Sequence, residues 1–272
     1  MNDAAQRNVH RNVDRQAATD AHLEDPDHEA ITAVIDHMTD QGSTITRGAA
    51  NETEVLERLN AVAEDDSGEL RPTMAALLAL GVYPQKFYPL LFVTVTSHPV
   101  ADDITSMEGT PRICDGPMPL AIDSAVTHVL SLLRTHGPKA SPGAEKEIPE
   151  EALREAITNA VLHRDYSTYS RSQQVRVKVY PDRVEISSPG GMKASRSVDN
   201  LAEGRPDPRN ETLVRLLSQV RNSQGRYVAN NQGIGIPRMV EAMCSHGLPA
   251  PIVEDTDGEV VVTLYRSLYN PE

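Results

Sequence analysis

Residues 1–25 carry no apolar period; they are polar, rich in Asn, Arg, Asp and Ala, and read as a mobile leader. Regular spacing begins with Ile31, Val34, Ile35 and Met38, which share one face of a helix over 29–38. Val55, Leu56, Leu59 and Val62 predict a second helix over 52–62, and polar residues 39–51 form the loop between them. Pro72 opens a third helical run, 73–80, which Gly81 stops. The Phe and Val content of 90–96 predicts a strand.

Four prolines (Pro99, Pro111, Pro117, Pro119) with Gly109 and Gly116 make 97–119 a loop and internal boundary. Ile122, Val126, Val129, Leu130 and Leu133 then mark an amphipathic helix that ends at Gly137-Pro138, followed by a polar break over 139–146. Pro149-Glu150-Glu151 suits a helix start, and Leu153, Ala156, Ile157, Ala160 and Val161 form that helix's buried stripe. Val175, Val177 and Val179 alternate with Arg176 and Lys178; Pro181-Asp182 turns the chain, and Val184 and Ile186 continue it, so 174–187 reads as a hairpin. Helices over 211–220 and 237–245, the latter closed by Gly247, precede a last strand, Glu259–Tyr265. Helices and strands do not alternate regularly, which predicts an α/β (α+β) two-layer sandwich rather than a doubly wound parallel sheet. The expected division is a leader, 1–25; a smaller, mostly helical accessory α/β segment, 26–112; and a main domain, 113–272.

Composition narrows the classes. Of 272 residues 39% are hydrophobic and 24% charged, enough to build a core. No apolar run approaches the roughly 20 residues that span a bilayer, and the start has no signal-peptide core. Two distant cysteines, Cys114 and Cys244, give neither a disulfide framework nor a metal cluster, so a soluble cytoplasmic protein is expected. With no tryptophan and two phenylalanines, an aromatic surface for stacking nucleic-acid bases is not expected. Residues 1–70 hold a net charge of −11 out of −13 in total, while 154–226 are locally +5. That balance disfavours broad attraction to DNA and leaves room for a small anionic ligand.

Three groups of residues could carry chemistry. Glu155, Asn159 and His163 lie at i, i+4 and i+8, on one face of a helix whose other face is apolar. Asn supplies a neutral oxygen for Mg²⁺ and Glu can polarise a water, although the same spacing suits an ordinary solvated face. Asn231-Gln232-Gly233-Ile234-Gly235-Ile236-Pro237 stands before a helix, where two glycines and the helix N-terminus suit an anion or simply a tight turn. Ile186-Ser187-Ser188-Pro189-Gly190-Gly191 ends a strand, either beside a ligand or as a plain terminating turn. Residues 192–232 are polar and hold Arg196, Arg205, Arg209, Arg215, Arg221 and Arg226, as a mobile lid over an anion or a surface excursion would.

Taken in order, these pieces resemble the Bergerat (GHKL) ATP-binding fold. Leu153-Arg154-Glu155-Ala156-Ile157-Thr158-Asn159 with His163-Arg164-Asp165-Tyr166-Ser167 resembles the N-box of the HATPase branch named for the C-terminal part of RecG-like ATP-dependent DNA helicases. The 183–191 run, Arg209-Asn210 and Gly233-Ile234-Gly235-Ile236-Pro237-Arg238-Met239 fit the same branch, and the resemblance spans about 148–266. It implies ATP and Mg²⁺ as cofactors. Asn159 would hold the metal and Glu155 would activate water. His163 and Ser188 would bind the nucleotide, with Gly190 and Gly191 beneath it and Gly233 and Gly235 at its phosphates. Ser187-Ser188-Pro189-Gly190-Gly191 departs from the Asp-x-Gly-x-Gly box of the wider fold, in which the Asp reads adenine.

Residues 71–81 and 84–89 resemble the segment preceding this domain in bacterial ATP-binding transcriptional regulators, which usually begin with a Schlafen AlbA-like DNA-binding domain. Only some 25 polar residues precede the first helix, so DNA contact is expected only through a domain outside this chain. No Gly-x-x-x-x-Gly-Lys-Ser/Thr loop supports helicase activity. The resulting expectation is a regulator that binds ATP–Mg²⁺, closes its lid and hydrolyses slowly or not at all. The alternative is a scaffold or homodimerisation module of the same fold with a degenerate pocket.

Overall fold

The structure, a computed structural model, describes residues 13–98, 109–136, 145–192, 207–230, 233–256 and 258–266. Helix α1 (His28–Asp40) begins at Asp27, whose carboxylate accepts from the N–H groups of Glu29 and Ala30. Helix α2 (Glu52–Arg58) follows, then a small antiparallel pair, β1 (Val62–Glu64) and β2 (Leu70–Pro72), then α3 (Met74–Leu80). Every residue of α3 is buried, as its Met-Ala-Ala-Leu-Leu-Ala-Leu sequence requires. The helix expected over 52–62 is shorter than its apolar period. Asn60 takes φ 56°, which ends the helix, and Val62 reaches the same core from a strand.

The main sheet gathers β3 (Val93–Ser97), β4 (Arg112–Cys114), β7 (Val175–Val179), β8 (Arg183–Pro189), β9 (Ile252–Thr256) and β10 (Glu259–Tyr265). Their order is β4-β3-β7-β8-β10-β9, antiparallel except for the parallel pair β3–β7. The expected hairpin is present as β7–β8, with Val177 opposite Ile186. Strands β4 and β9 were not expected: one lies in the proline-rich stretch, and the other is acidic and largely exposed. Two short segments, β5 (Thr135–His136) and β6 (Glu145–Lys146), pair beside the sheet.

Helix α4 (Met118–Leu132) and helix α5 (Glu150–His163) cover one face of the sheet, where Val93, Val95, Val175, Val177, Val184, Ile186 and Leu264 are buried. On the other face lie Arg176, Lys178 and Glu185, so helices form one layer and strands the other. Helix α6 (Glu211–Leu217) joins α3, and α7 (Gly235–Ser245) lies along α5. This is the expected two-layer α/β sandwich.

The leader is a correction from Val13 onward. Residues Val13–Arg15 form a 3₁₀ turn in which Asp14 Oδ2 accepts from the N–H groups of Thr212 (2.8 Å) and Leu213 (3.0 Å), at the start of α6. Arg15 adds bonds to Thr212 Oγ1 and Glu211, and the Ala18 N–H donates to Pro72 O. Polar ties hold this segment, which is why no apolar period announced it. Of the expected lid, 193–206 and 231–232 lie outside the described residues. The remainder is packed rather than loose: Leu213, Val214, Leu216 and Leu217 belong to the core.

Burial raises the pKa of Asp14, against the opposing hydrogen bonds from Leu213 and Thr212. Its ionised form therefore opposes folding; its contribution is fullest below the unfolded carboxyl range and is lost as pH rises through the raised folded value. Asp14→Ala leaves two amides of α6 without their acceptor and should cost about 1–3 kcal/mol in denaturant unfolding. Asp14→Asn keeps one carbonyl oxygen for both amides and removes the charge. It should cost less than the alanine change and flatten the loss of stability above the carboxyl range.

Candidate functional site

Helix α5 is the spine of the site. Its apolar residues Ala152, Leu153, Ala156, Ile157 and Ala160 are buried, and its polar stripe turns toward α7. Glu155 and Asn159 are half-buried there, so the stripe is not the fully solvated face that its spacing also allowed. Both side chains converge on Gly235, the first residue of α7. A Cβ on Gly235 would collide with the Glu155 carboxylate and lie 3.1 Å from Asn159 Nδ2. The absent side chain is what lets the acid reach the N-terminal end of a helix, where the helix dipole favours negative charge.

Burial raises the pKa of Glu155; Arg238 on α7 opposes that shift and Glu151 adds to it. The Asn159 amide nitrogen is buried against the Glu155 carboxyl and, like Arg238, works against the rise in its pKa. Among those residues no group of three His, Cys, Asp or Glu could hold a metal by itself. A cation here would need oxygens brought by a ligand, which is how Mg²⁺ is commonly held.

Seven of the eight residues singled out from the sequence line one cleft: Glu155, Asn159, His163, Ser188, Gly191, Gly233 and Gly235. Ile186, Val260 and Val262 from the sheet and Leu162 and Val214 from the helices give it an aliphatic wall. The eighth, Gly190, lies behind the cleft. It has φ 108°, and a Cβ there would collide with the side chains of Asp165 and Arg209. Its N–H donates to Gly258 O at 2.6 Å, which ties the end of β8 to the β9–β10 turn.

Ser188 is buried, and its hydroxyl donates to Ala160 O of α5 at 2.7 Å. Other carbonyls at this helix end are also taken by side chains: Val161 O by the Tyr166 hydroxyl, and Leu162 O and Arg164 O by the Asn210 amide. Buried Arg164 donates to Ser170 O and Gln173 O. Burial would raise the pKa of Asp165, but hydrogen bonds from Ser167 and Ser170 outweigh it and hold the carboxyl below its usual range. The stretch from Arg164 to Ser170 therefore builds the frame of the cleft.

Arg209 entered the sequence reading as one of six lid arginines, and the structure gives it a sharper place. Its Nη2 donates to Gly191 O at 2.9 Å, while Nη1 is buried with no partner among the described residues, in the cleft wall. Burial lowers its pKa, against the attraction of Asp165 and Asp255. Arg238 belongs to the Gly-x-Gly motif read from the sequence, which gave it no role of its own; the structure places it in the first turn of α7, where its charge acts on Glu155. Arg196 and Arg205 lie outside the described residues.

The helix layer and strand ends of the α/β sandwich thus bound an aliphatic cleft with a carboxylate and a carboxamide at a glycine-started helix. Residues 172–264 match the family described as "Putative ATP-dependent DNA helicase recG C-terminal", which bears out the motif resemblance over that segment. Helix α5 precedes the matched residues. The crystal structure of the DIP2311 protein from Corynebacterium diphtheriae has a similar fold, with a TM-score of 0.64 at 21% identity over 93% of this chain. The chain spans about half of that protein, 47% of its length. No curated protein matches the chain. Among the described residues no helix is long and apolar enough to cross a membrane.

The two glycines should respond differently to alanine. Gly190→Ala meets close side chains at a positive φ and should lose at least about 2 kcal/mol in chemical denaturation. Gly235→Ala meets only the ends of two side chains, Glu155 and Asn159, and replaces glycine at a helix start. Its stability should stay within about 1 kcal/mol of the parent. The Glu155 carboxylate should be displaced toward water and its raised pKa should fall, read by NMR titration of the side chain.

Proposed function

We propose that the cleft binds ATP with Mg²⁺ as the regulatory domain of a bacterial transcriptional regulator. The observation that carries this reading is the meeting of Glu155 and Asn159 at Gly235, on the wall of a cleft that is otherwise largely aliphatic. A flat base suits the aliphatic part, and the helix start with its glycines suits phosphates. Asn159, whose carboxamide oxygen is a neutral ligand on the cleft wall, is the residue to hold Mg²⁺, which when bound would neutralise phosphate charge. His163, exposed at the cleft, and the Gly233 turn would border the phosphates.

Ser188 supports adenine in particular. Its proton is committed to Ala160 O, so toward the cleft its hydroxyl offers lone pairs only. An acceptor there suits an exocyclic amino group, the part an aspartate plays in the wider fold. Arg209, with a free buried nitrogen beside Gly191, is an added ligand contact.

Hydrolysis would be slow. Glu155 can take a proton from water, and its raised pKa makes it a better base once ionised but leaves it less ionised at neutral pH. A change in the 192–232 segment on binding would carry occupancy to a partner, and DNA would be reached through another domain. The scaffold reading, with homodimerisation as its task, is favoured by one observation: Glu155 itself fills the room beside Gly235.

A melting titration separates the two readings. ATP–Mg²⁺ at about 100 times Kd should stabilise the chain by about 2.7 kcal/mol, and ATP with chelator by much less. Asn159→Ala should weaken the Mg²⁺-dependent part, while Glu155→Gln should bind nearly as the parent does and lose any turnover. No shift with any nucleotide at millimolar concentration would leave the scaffold reading standing.

A further inference from the structure

A second cavity adjoins the first, and Glu155, Thr158 and Asn230 line both. Arg154, Arg226 and Arg238 supply the rest of its charge, facing Glu151 and Glu155. Thr158 is 3% exposed and its hydroxyl has no partner among the described residues, although a helical threonine commonly returns its hydroxyl to the carbonyl one turn back. Arg154 is held at its terminal nitrogens by Asp123 and Glu150, yet its Nε is buried without a partner. The Arg238 guanidinium makes no hydrogen bond or ion pair among the described residues, and the charge that feels it is that of Glu155. Arg226 commits one nitrogen to Glu150 and Gln224. Unspent donors among the residues lining one polar cavity fit a small tetrahedral oxyanion.

We propose that this second cavity binds inorganic phosphate and receives the phosphate split from nucleotide in the first. The source of the phosphate rests on the nucleotide reading above; its binding does not. In the step that supplies it, a water oxygen bonds to the terminal phosphorus and the bond to the bridging oxygen breaks. The electron pair stays on the nucleoside diphosphate, and the water proton goes to Glu155. Glu155 stands between the two cavities. Arg226 and Arg238, which line the second cavity, would draw the anion onward.

The test is calorimetric titration of the full chain with inorganic phosphate, alone and saturated with ADP–Mg²⁺. Phosphate should bind in both states. Arg226→Gln should weaken phosphate about tenfold while leaving ADP–Mg²⁺ affinity within about twofold, as a charged donor lost from one cavity only predicts. Thr158→Val, which removes a hydroxyl and keeps the shape, should also weaken phosphate with an unchanged melting temperature. Simple competition between phosphate and ADP–Mg²⁺ would overturn the inference, as would undiminished phosphate binding in Arg226→Gln or no binding at millimolar phosphate. Arg226-dependent phosphate binding by a chain that takes no nucleotide would uphold the anion site while the nucleotide reading falls.

Discussion

A helix that ends inside a protein leaves its last carbonyls without partners, and at the end of α5 the chain supplies one from each neighbouring element. Ser188 comes from β8, the Tyr166 hydroxyl from the turn that follows, and Asn210 from the residue before α6. Each unmet carbonyl would cost about 1–3 kcal/mol. The helix end is therefore also a set of fixed distances: it locates the end of β8 and the start of α6 relative to α5. The cleft is the space these three elements leave between them. Arg164, Asp165 and Ser167, from the same motif as Glu155 and Asn159, build this frame.

The other boundary of the cleft is electrostatic. Packing α7 on α5 places a carboxylate and a carboxamide in a half-buried setting, which is tolerable only because a helix N-terminus and Arg238 face them. An aliphatic wall opposite the pair keeps water few and strengthens each polar contact. The anion binding and the proton transfer proposed for the cleft would thus both follow from the same packing. The loop through Ser223 and Arg226 is tied to Asp123 and Glu150 by charged hydrogen bonds, which stiffens the far wall.

The two layers, the β7–β8 hairpin and most helices were legible because each repeats an apolar spacing that burial on one face enforces. The cleft was legible through the order of Glu155–Asn159, Ser188–Gly191 and Gly233–Gly235, residues whose chemistry is local. What escaped has no such period. Asp14 and Arg15 hold the first turn by polar bonds to partners nearly 200 residues away, which no local window can show. Strand β9, with Glu254, Asp255 and Thr256 at a sheet edge, carries too little apolar content to announce itself. Val62 misled in the opposite direction: its apolar side chain continued a helical period from within a strand. Arg209 was visible as a residue but not as a place, since only the fold brings it under Gly191.

The cap that Asp14 places on α6 also dates the folding of the molecule. The two partners stand 198 residues apart, so a ribosome adding about 5–20 residues each second exposes the carboxylate roughly 10–40 s before the amide it will bind. Throughout that interval α3 and its apolar residues have no α6 to rest against. The beginning of the chain is thus among the last parts to find its place, and a nascent chain stalled before residue 212 would present that unfinished surface to chaperones and proteases.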